Sequence, residues 1–395
     1  MKTKLLHIIF ILSVICPVYA QDEQYYDPFS LPEPPKGLIS PEIHADRRVT
    51  FRLYAPDAVE VSLNSDCFGA ETDTTPFGTS GGSVQMSKDS AGIWSYTTTY
   101  PVYPNFYTYD YLVDLVNNVT DPANPDDAWN QGSHFSVFAV GGDSIADLLV
   151  QQDVPHGRIE RLEYYSEVYR ANRRVAVYIP SDYDATAHNY PVMYLLHGIS
   201  GDEMAWLSLG RTAQICDNFI ARGEIDPMIV VMPNSNPIMS SDEDGVSTMT
   251  DNILGIPRLM KAEFEDSFEE LIGLMHVKYR ISSDKSKHII AGISIGAHQA
   301  ANIVKIIPDY FSCLGLFSPT LWKKQVPDFI ADDDSFSYYI RMGRNDWVSW
   351  SLSLKFADRV CRKGYKVDIQ ETIGGHTWKW WRNYLIEFLK VQGRK

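Results

Sequence analysis

Between residues 38 and 141, apolar and polar positions alternate in short runs. "RVTFRLYAP", "VEVSLNS", "GIWSYTTTY" and "FYTYDYLVD" are separated by Gly-, Pro- and Asp-rich stretches. A period of two is what a strand with one buried face requires, so this stretch is expected to form a small β-sandwich. Tyr107, Tyr109 and Tyr111 share one strand face. Alternating aromatics pack a half-buried strand more often than they stack on sugar, and packing is the expected role. "TPFGTSGGS" (75–83) is expected to be a hairpin loop.

Beyond Pro155 the pattern changes. The β-type runs "YPVMYLLHG", "MIVVMPN", "HIIAGIS", "CLGLFSP", "SYYIRMG" and "KVDIQETI" alternate with helical patterns. These are "GRTAQICDNFIARG", "FEDSFEELIGLMHVKY", the stretch after Gly296, "WSLSLKFADRVCRKG" and "WRNYLIEFL". Continuous apolar strands between amphipathic helices imply an α/β fold with a largely parallel sheet covered on both faces. "RIERLEYYSEV" and "RRVAVYIP" read as an antiparallel pair at its edge. The chain thus divides into a β-sandwich at 38–141 and an α/β unit at 155–395.

The 395 residues hold enough apolar side chains for two cores. A net charge of −15 argues against nucleic acid or an anionic membrane as partner and favours sugars or neutral small molecules. Residues 1–20 combine a basic start, Lys2 and Lys4, with an apolar run from Leu5 to about Val18 and small residues up to Ala20. This reads as a removable signal peptide and points to a secreted or periplasmic protein. The run falls short of the roughly 20 residues of a membrane-spanning helix, so no membrane span is expected. Residues 21–37 read as a Pro-rich linker. Cys67, Cys216, Cys313 and Cys361 are too scattered for a disulfide scaffold and are expected to be buried free thiols. No HExxH, CxxC or clustered His/Asp set occurs, so neither a metal nor another cofactor is expected. The sequence gives no oligomeric state.

Candidate chemistry falls at strand ends. Ser294 closes "HIIAGIS", with Gly292 and Gly296 two residues away on either side. A serine on a sharp strand-to-helix turn leaves no room for side chains at those flanking positions. Its hydroxyl attacks only when a base takes its proton. His376, between the last strand and the last helix, is the expected base, and Asp346, after the penultimate strand, is the acid that orients it. Glu371 is the alternative acid. The oxyanion donors are expected to be the N–H groups of Ile199, in "LLHGISGDE", and of Ile295. His197 reads as a support for that loop and His298 as a helix-face or pocket-wall residue. Trp206, Trp322 and Trp347 follow these motifs and face either substrate or core. The polar segment 234–252 is expected to be a mobile substrate loop.

These motifs, with "PHGRIERLEYYSEVYRANRRVAVYIPSDYD" and "EIDPMIVVMPN", resemble the family 1 carbohydrate esterases, especially their feruloyl-esterase branch, esterase D-like proteins of α/β-hydrolase fold. "ISPEIHADRRVTFRLYAPDAVEVSL", "GIWSYTTTYPVYPNFYTYDYLVD" and "DPANP" resemble an immunoglobulin-like early-set domain of the family 48 carbohydrate-binding type. The first resemblance implies a serine esterase with Ser294 as nucleophile, Asp346 as acid, His376 as base and the residue after His197-Gly198 as first oxyanion donor. Its implied substrates are hydroxycinnamates, such as ferulate, esterified to plant cell-wall polysaccharide or oligosaccharide. A triad does not report the acyl group, so acetylxylan and siderophore esterases are same-chemistry alternatives. The elbow departs from the family pattern, with Ile295 in place of Met and with Ala297 and His298 in place of a glycine run. That departure motivates a third reading, a glycan-binding protein with a degenerate esterase domain; the complete triad argues against it. The second resemblance implies a sandwich and leaves glycan binding open.

Overall fold

The computed structural model describes residues 31–68, 82–115, 117–130, 133–199, 201–236, 263–321 and 336–394. Residues 1–20, most of the 75–83 loop, residues 237–252 and Trp322 lie outside them. Among the described residues, the first part of the chain builds two antiparallel sheets. The strands are β1 (Glu42–Ile43), β2 (Val49–Tyr54), β3 (Val61–Ser65), β4 (Gly82–Gln85), β5 (Ser87–Lys88), β6 (Ile93–Thr97), β7 (Asn105–Val113), β8 (Asn117–Val119), β9 (Asp127–Asn130) and β10 (Ser133–Val140). Their orders are β1-β2-β6-β5 and β4-β3-β7-β10-β9, with β8 beside β7.

The two sheets share one apolar core. Phe51 of the first meets Tyr109 and Phe138 of the second edge-on, with ring centroids 5.0 and 5.3 Å apart. Tyr107, Tyr109 and Tyr111 are buried there, and the hydroxyls of Tyr109 and Tyr111 donate to the buried Asp121 carboxylate. They pack, as the alternation implies, and none is open to a sugar. Gly82 and Ser83, expected in a loop, instead begin β4, because pairing with β3 satisfies their backbone.

The second part forms one eight-stranded sheet from β11 (Arg158–Ser166), β12 (Ala171–Ile179), β13 (Val192–Leu196), β14 (Ile229–Pro233), β15 (His288–Ile293), β16 (Cys313–Phe317), β17 (Ser337–Gly343) and β18 (Lys366–Thr372). Its order is β11-β12-β14-β13-β15-β16-β17-β18. β12 runs antiparallel to both neighbours, and the pairs from β14 to β18 are parallel. Within β13, Val192, Tyr194 and Leu196 enter one core while Met193 and Leu195 enter the other. The unbroken apolar run is therefore a strand buried on both faces. Helices Phe268–Lys278, Ser294–Ile306 and Trp350–Arg362 cover the first face, and Thr212–Ala221 and Trp378–Gln392 the second. The helical pattern from Phe264 to Tyr279 breaks at Ser267, whose hydroxyl donates back to Phe264 O.

A short helix, Ala146–Leu149, fills the expected gap between the two parts, and its Leu148 and Leu149 are buried. With Phe106, Ala128 and Val137 they join the core on the second face of the large sheet. Arg382, fully buried on the last helix, crosses this junction. It donates to Asn105 Oδ1 at 3.0 Å, to Leu209 O at 2.8 Å and to Phe106 O. Burying a guanidinium without such acceptors costs several kcal/mol, so the strand at Asn105–Phe106 and the helix hold each other in place.

Among the described residues Cys67, Cys216, Cys313 and Cys361 form no disulfide, and of these four Cys216 and Cys313 are buried. Cys67 is half-buried, and Cys361 is exposed on the solvent face of a helix that buries Ser353, Phe356, Ala357 and Val360. This corrects the expectation of four buried thiols. No helix among the described residues is long and apolar enough to cross a membrane.

Candidate active site

β15 ends at Ile293 and the helix Ser294–Ile306 starts at once, so the chain must turn within one residue. Ser294 does so at φ +50°, a left-handed conformation that costs a non-glycine residue about 1–3 kcal/mol. Space accounts for the flanking glycines. A Cβ on Gly292 would stand 2.5 Å from the Gly296 carbonyl, and one on Gly296 would stand 2.2 Å from His197 O. Both obstacles are backbone, so no side-chain movement relieves them. Ala297 and His298 lie in the helix body and are buried there. Burial lowers the His298 pKa, opposed by a hydrogen bond with the Thr320 backbone.

His376 brings the three candidates together. Its Nε2 lies 3.0 Å from Ser294 Oγ and its Nδ1 2.9 Å from Asp346 Oδ2. An ionised carboxylate only accepts, so Nδ1 carries the proton and Nε2 accepts from the serine hydroxyl. Asp346 is fully buried, and Ser349 donates to it twice, from N to Oδ1 at 2.9 Å and from Oγ to Oδ2 at 2.7 Å. Burial pushes this carboxyl's pKa up, but the bond and charge of His376 and the hydroxyls of Ser349 and Ser318 outweigh it and hold the group below its ordinary value. The two loops are laced together: Arg344 N donates to Thr372 O, Asn345 N to Gly374 O and Asn345 Nδ2 to Ile373 O. Glu371 instead binds Arg344 and the Trp350 indole N–H, away from His376.

The loop after β13 lies against the serine, since a Cβ on Gly198 would be 3.5 Å from Ser294 Cβ. Buried His197 braces it: its Nδ1 donates to Gly198 O at 2.7 Å and its Nε2 accepts from Ser235 N at 3.0 Å. Burial lowers its pKa to about 4, so the brace is neutral. Ile199 comes next on this loop. Ile295 is the second residue of its helix, where N–H groups have no intrahelical acceptor.

Trp206 is only 1% exposed, donates its indole N–H to Leu196 O and packs edge-on against Trp378. It belongs to the core beneath the loop. Trp347, beside Asp346, is 54% exposed. Ser349, Ser318 and Trp381 escaped sequence reasoning. Ser349 left one signal, its place just before a helix and three residues after an acid, where a carboxylate caps the first turn. Among the described residues, no group of three or more His, Cys, Asp or Glu is placed to hold a metal ion.

A sheet of this order in which β12 alone is reversed is an α/β-hydrolase-like fold. The serine turn sits where such a fold carries its nucleophile. A family model described as "Putative esterase" matches residues 166–391, and the chain belongs to this Esterase family of carboxylic ester hydrolases. It is 28% identical over 356 residues to an endo-1,4-beta-xylanase/feruloyl esterase of Xylanibacter ruminicola, a match over 88% of this chain and 45% of that protein. The chain thus spans less than half the length of that relative. An acetyl esterase of Caldicellulosiruptor saccharolyticus is 21% identical over 276 residues, covering 58% of this chain and 95% of that one. Among solved structures, the enterochelin esterase of Shigella flexneri aligns with a TM-score of 0.62 at 16% identity, over 89% of this chain and 94% of that one. A ferulic acid esterase of Anaeromyces mucronatus gives 0.53 at 20% identity, over 62% and 94%. These structural likenesses are likenesses of fold.

Proposed function

We propose that this chain is a serine-type carboxylic ester hydrolase that releases ferulate or a related hydroxycinnamate from plant cell-wall polysaccharide. The observation that carries the reading is the line from Ser294 through His376 to Asp346, with bonds of 3.0 and 2.9 Å, on a serine held at φ +50°. In this reading Ser294 Oγ attacks the ester carbonyl carbon while His376 Nε2 takes its proton. The carbonyl oxygen becomes an oxyanion facing the N–H groups of Ile199 and Ile295. Asp346 stabilises the imidazolium. His376 then returns the proton to the departing sugar oxygen, leaving ferulate esterified to Ser294. Water, deprotonated by His376, cleaves that ester and frees the acid and the serine.

The acyl group is argued from the relatives. The Xylanibacter ruminicola protein, matched across both parts of this chain, is named for xylanase and feruloyl esterase activity. The leader at 1–20 would deliver the enzyme to the periplasm or beyond, where polysaccharide lies. Residues 38–141 serve as a non-catalytic, immunoglobulin-like front unit. Siderophore ester hydrolysis is the second reading, because the likeness to enterochelin esterase also runs through both parts.

A substrate panel on residues 21–395 tests this: methyl ferulate, feruloylated and acetylated xylo-oligosaccharides, and enterobactin. The expected result is a kcat/KM on the feruloyl esters at least about tenfold above the others, a barrier difference near 1.4 kcal/mol. Hydrolysis confined to enterobactin or to acetyl esters would overturn the hydroxycinnamate assignment.

A further inference from the structure

We infer that Ser318 and Trp381 are positioning residues for the His376–Asp346 pair; the inference rests on the esterase reading of this site. Trp381 packs at right angles to the His376 ring, with centroids 4.9 Å apart and planes at 88°. Its indole N–H donates to Ser318 Oγ at 3.1 Å. An indole nitrogen only donates, so Ser318 accepts there and its single hydroxyl proton is left for another acceptor. Asp346 is the acceptor we assign to it, since the Ser318 side chain helps hold that carboxyl below its ordinary range. With that assignment the contacts close a ring of four residues, from His376 to Asp346, Ser318, Trp381 and back to His376.

The backbone holds Ser318 to this place. It follows β16 at φ +49°, and its N–H donates to Arg341 O on β17, the strand that leads to Asp346. Ser318 is fully buried and Trp381 nearly so. A strained residue persists where its surroundings over-determine it, and here the surroundings are the two strands that set the acid.

Two consequences follow for the base. The bonds at Nδ1 and Nε2 fix the imidazole at two points, yet neither resists rotation of the ring about the line joining them. Trp381 does, and Ser318 keeps Trp381 from turning away. Ser318 also shares the Asp346 charge. Without its hydroxyl more of that charge bears on His376, which then holds a proton more tightly, and the acid limb of the pH profile moves to higher pH.

Ser318→Gly removes the hydroxyl without adding strain, since glycine adopts positive φ freely. In the full chain, with p-nitrophenyl acetate as substrate, kcat/KM should fall about tenfold, the scale of one charge-assisted hydrogen bond partly lost in the transition state. The fall should lie in kcat rather than KM, and the acid limb should move to higher pH. Trp381→Phe keeps a ring beside His376 and deletes the N–H; its expected loss is about threefold. Because both changes cut one circuit, the double variant should be no worse than Ser318→Gly alone. Rates are normalised to sites titrated with an organophosphate, so unfolded protein does not pass for slow protein. If Ser318→Gly fails to fold, Trp381→Phe carries the test by the same readouts. Wild-type kcat/KM with an unmoved acid limb, or multiplicative losses in the double variant, would overturn the inference. Wild-type turnover by Ser294→Ala would instead remove the esterase reading on which it rests.

Discussion

Asp346→Asn changes one atom of the proposed acid, and the geometry fixes what that atom must do. Asp346 Oδ1 accepts from Ser349 N at 2.9 Å, a backbone donor that cannot turn away. The asparagine oxygen must take that position. Its amide nitrogen, a donor, then replaces Oδ2 and faces His376 Nδ1, which lies 2.9 Å away in the native protein. Two N–H groups cannot point at each other, so the imidazole carries its proton on Nε2. There it can no longer accept from Ser294 Oγ. The expected loss is about 10⁴ in kcat, the size found for the same change in another serine triad, or about 5.5 kcal/mol of transition-state stabilisation. The assay is initial-rate hydrolysis of p-nitrophenyl acetate by site-titrated enzyme, with circular dichroism and a thermal melt confirming the fold. A loss smaller than about tenfold would refute the assignment of the acid. Glu371→Gln, at a residue that binds Arg344 and Trp350, should cost less than about twofold.

Three other outcomes follow from the same contacts. Gly296→Ala would drive a Cβ to 2.2 Å from His197 O, displacing the serine turn against the oxyanion loop; kcat/KM should fall at least about 100-fold, and a near-native rate would contradict the contact. Arg382→Met leaves Asn105 Oδ1, Phe106 O and Leu209 O without their donor, and urea denaturation should show about 3 kcal/mol less stability, whereas a change under about 1 kcal/mol would mean the junction is not held there. The Asp346 carboxyl is held below its ordinary pKa of 3.8, so its contribution to stability is full above that value and is lost as pH falls through the lowered one. The melting temperature of the wild type should therefore drop more steeply below about pH 4 than that of Asp346→Asn; parallel curves would contradict this.

The inner strands of the large sheet were legible because they are buried on both faces, which writes an unbroken apolar run into the sequence at β13, β14 and β16. The serine turn was legible for a different reason. Backbone crowding at Gly292 and Gly296 admits no side chain, so a steric rule survives as a spacing. Burial at Trp206 was not legible, since a tryptophan after a loop looks the same whether it lines a pocket or fills the space beneath it. The ring through Ser318 and Trp381 was hidden too. Its members sit 63 residues apart, at a strand end and on a helix, and no local period records a pairing at that range. The junction at Arg382 shows the same limit, because its partner Asn105 lies 277 residues away.

In the proposed reaction Ser294 becomes covalently acylated and His376 then directs water to the acyl group. Mixing the full chain with excess p-nitrophenyl acetate, quenching in acid within milliseconds and locating the acetyl group by peptide mass spectrometry tests this most directly. A single acetyl group is expected on the Ser294 peptide, formed in a burst of p-nitrophenol and absent from Ser294→Ala. Acetyl transfer at an undiminished rate in Ser294→Ala, or an acetyl group found reproducibly on another residue, would contradict it.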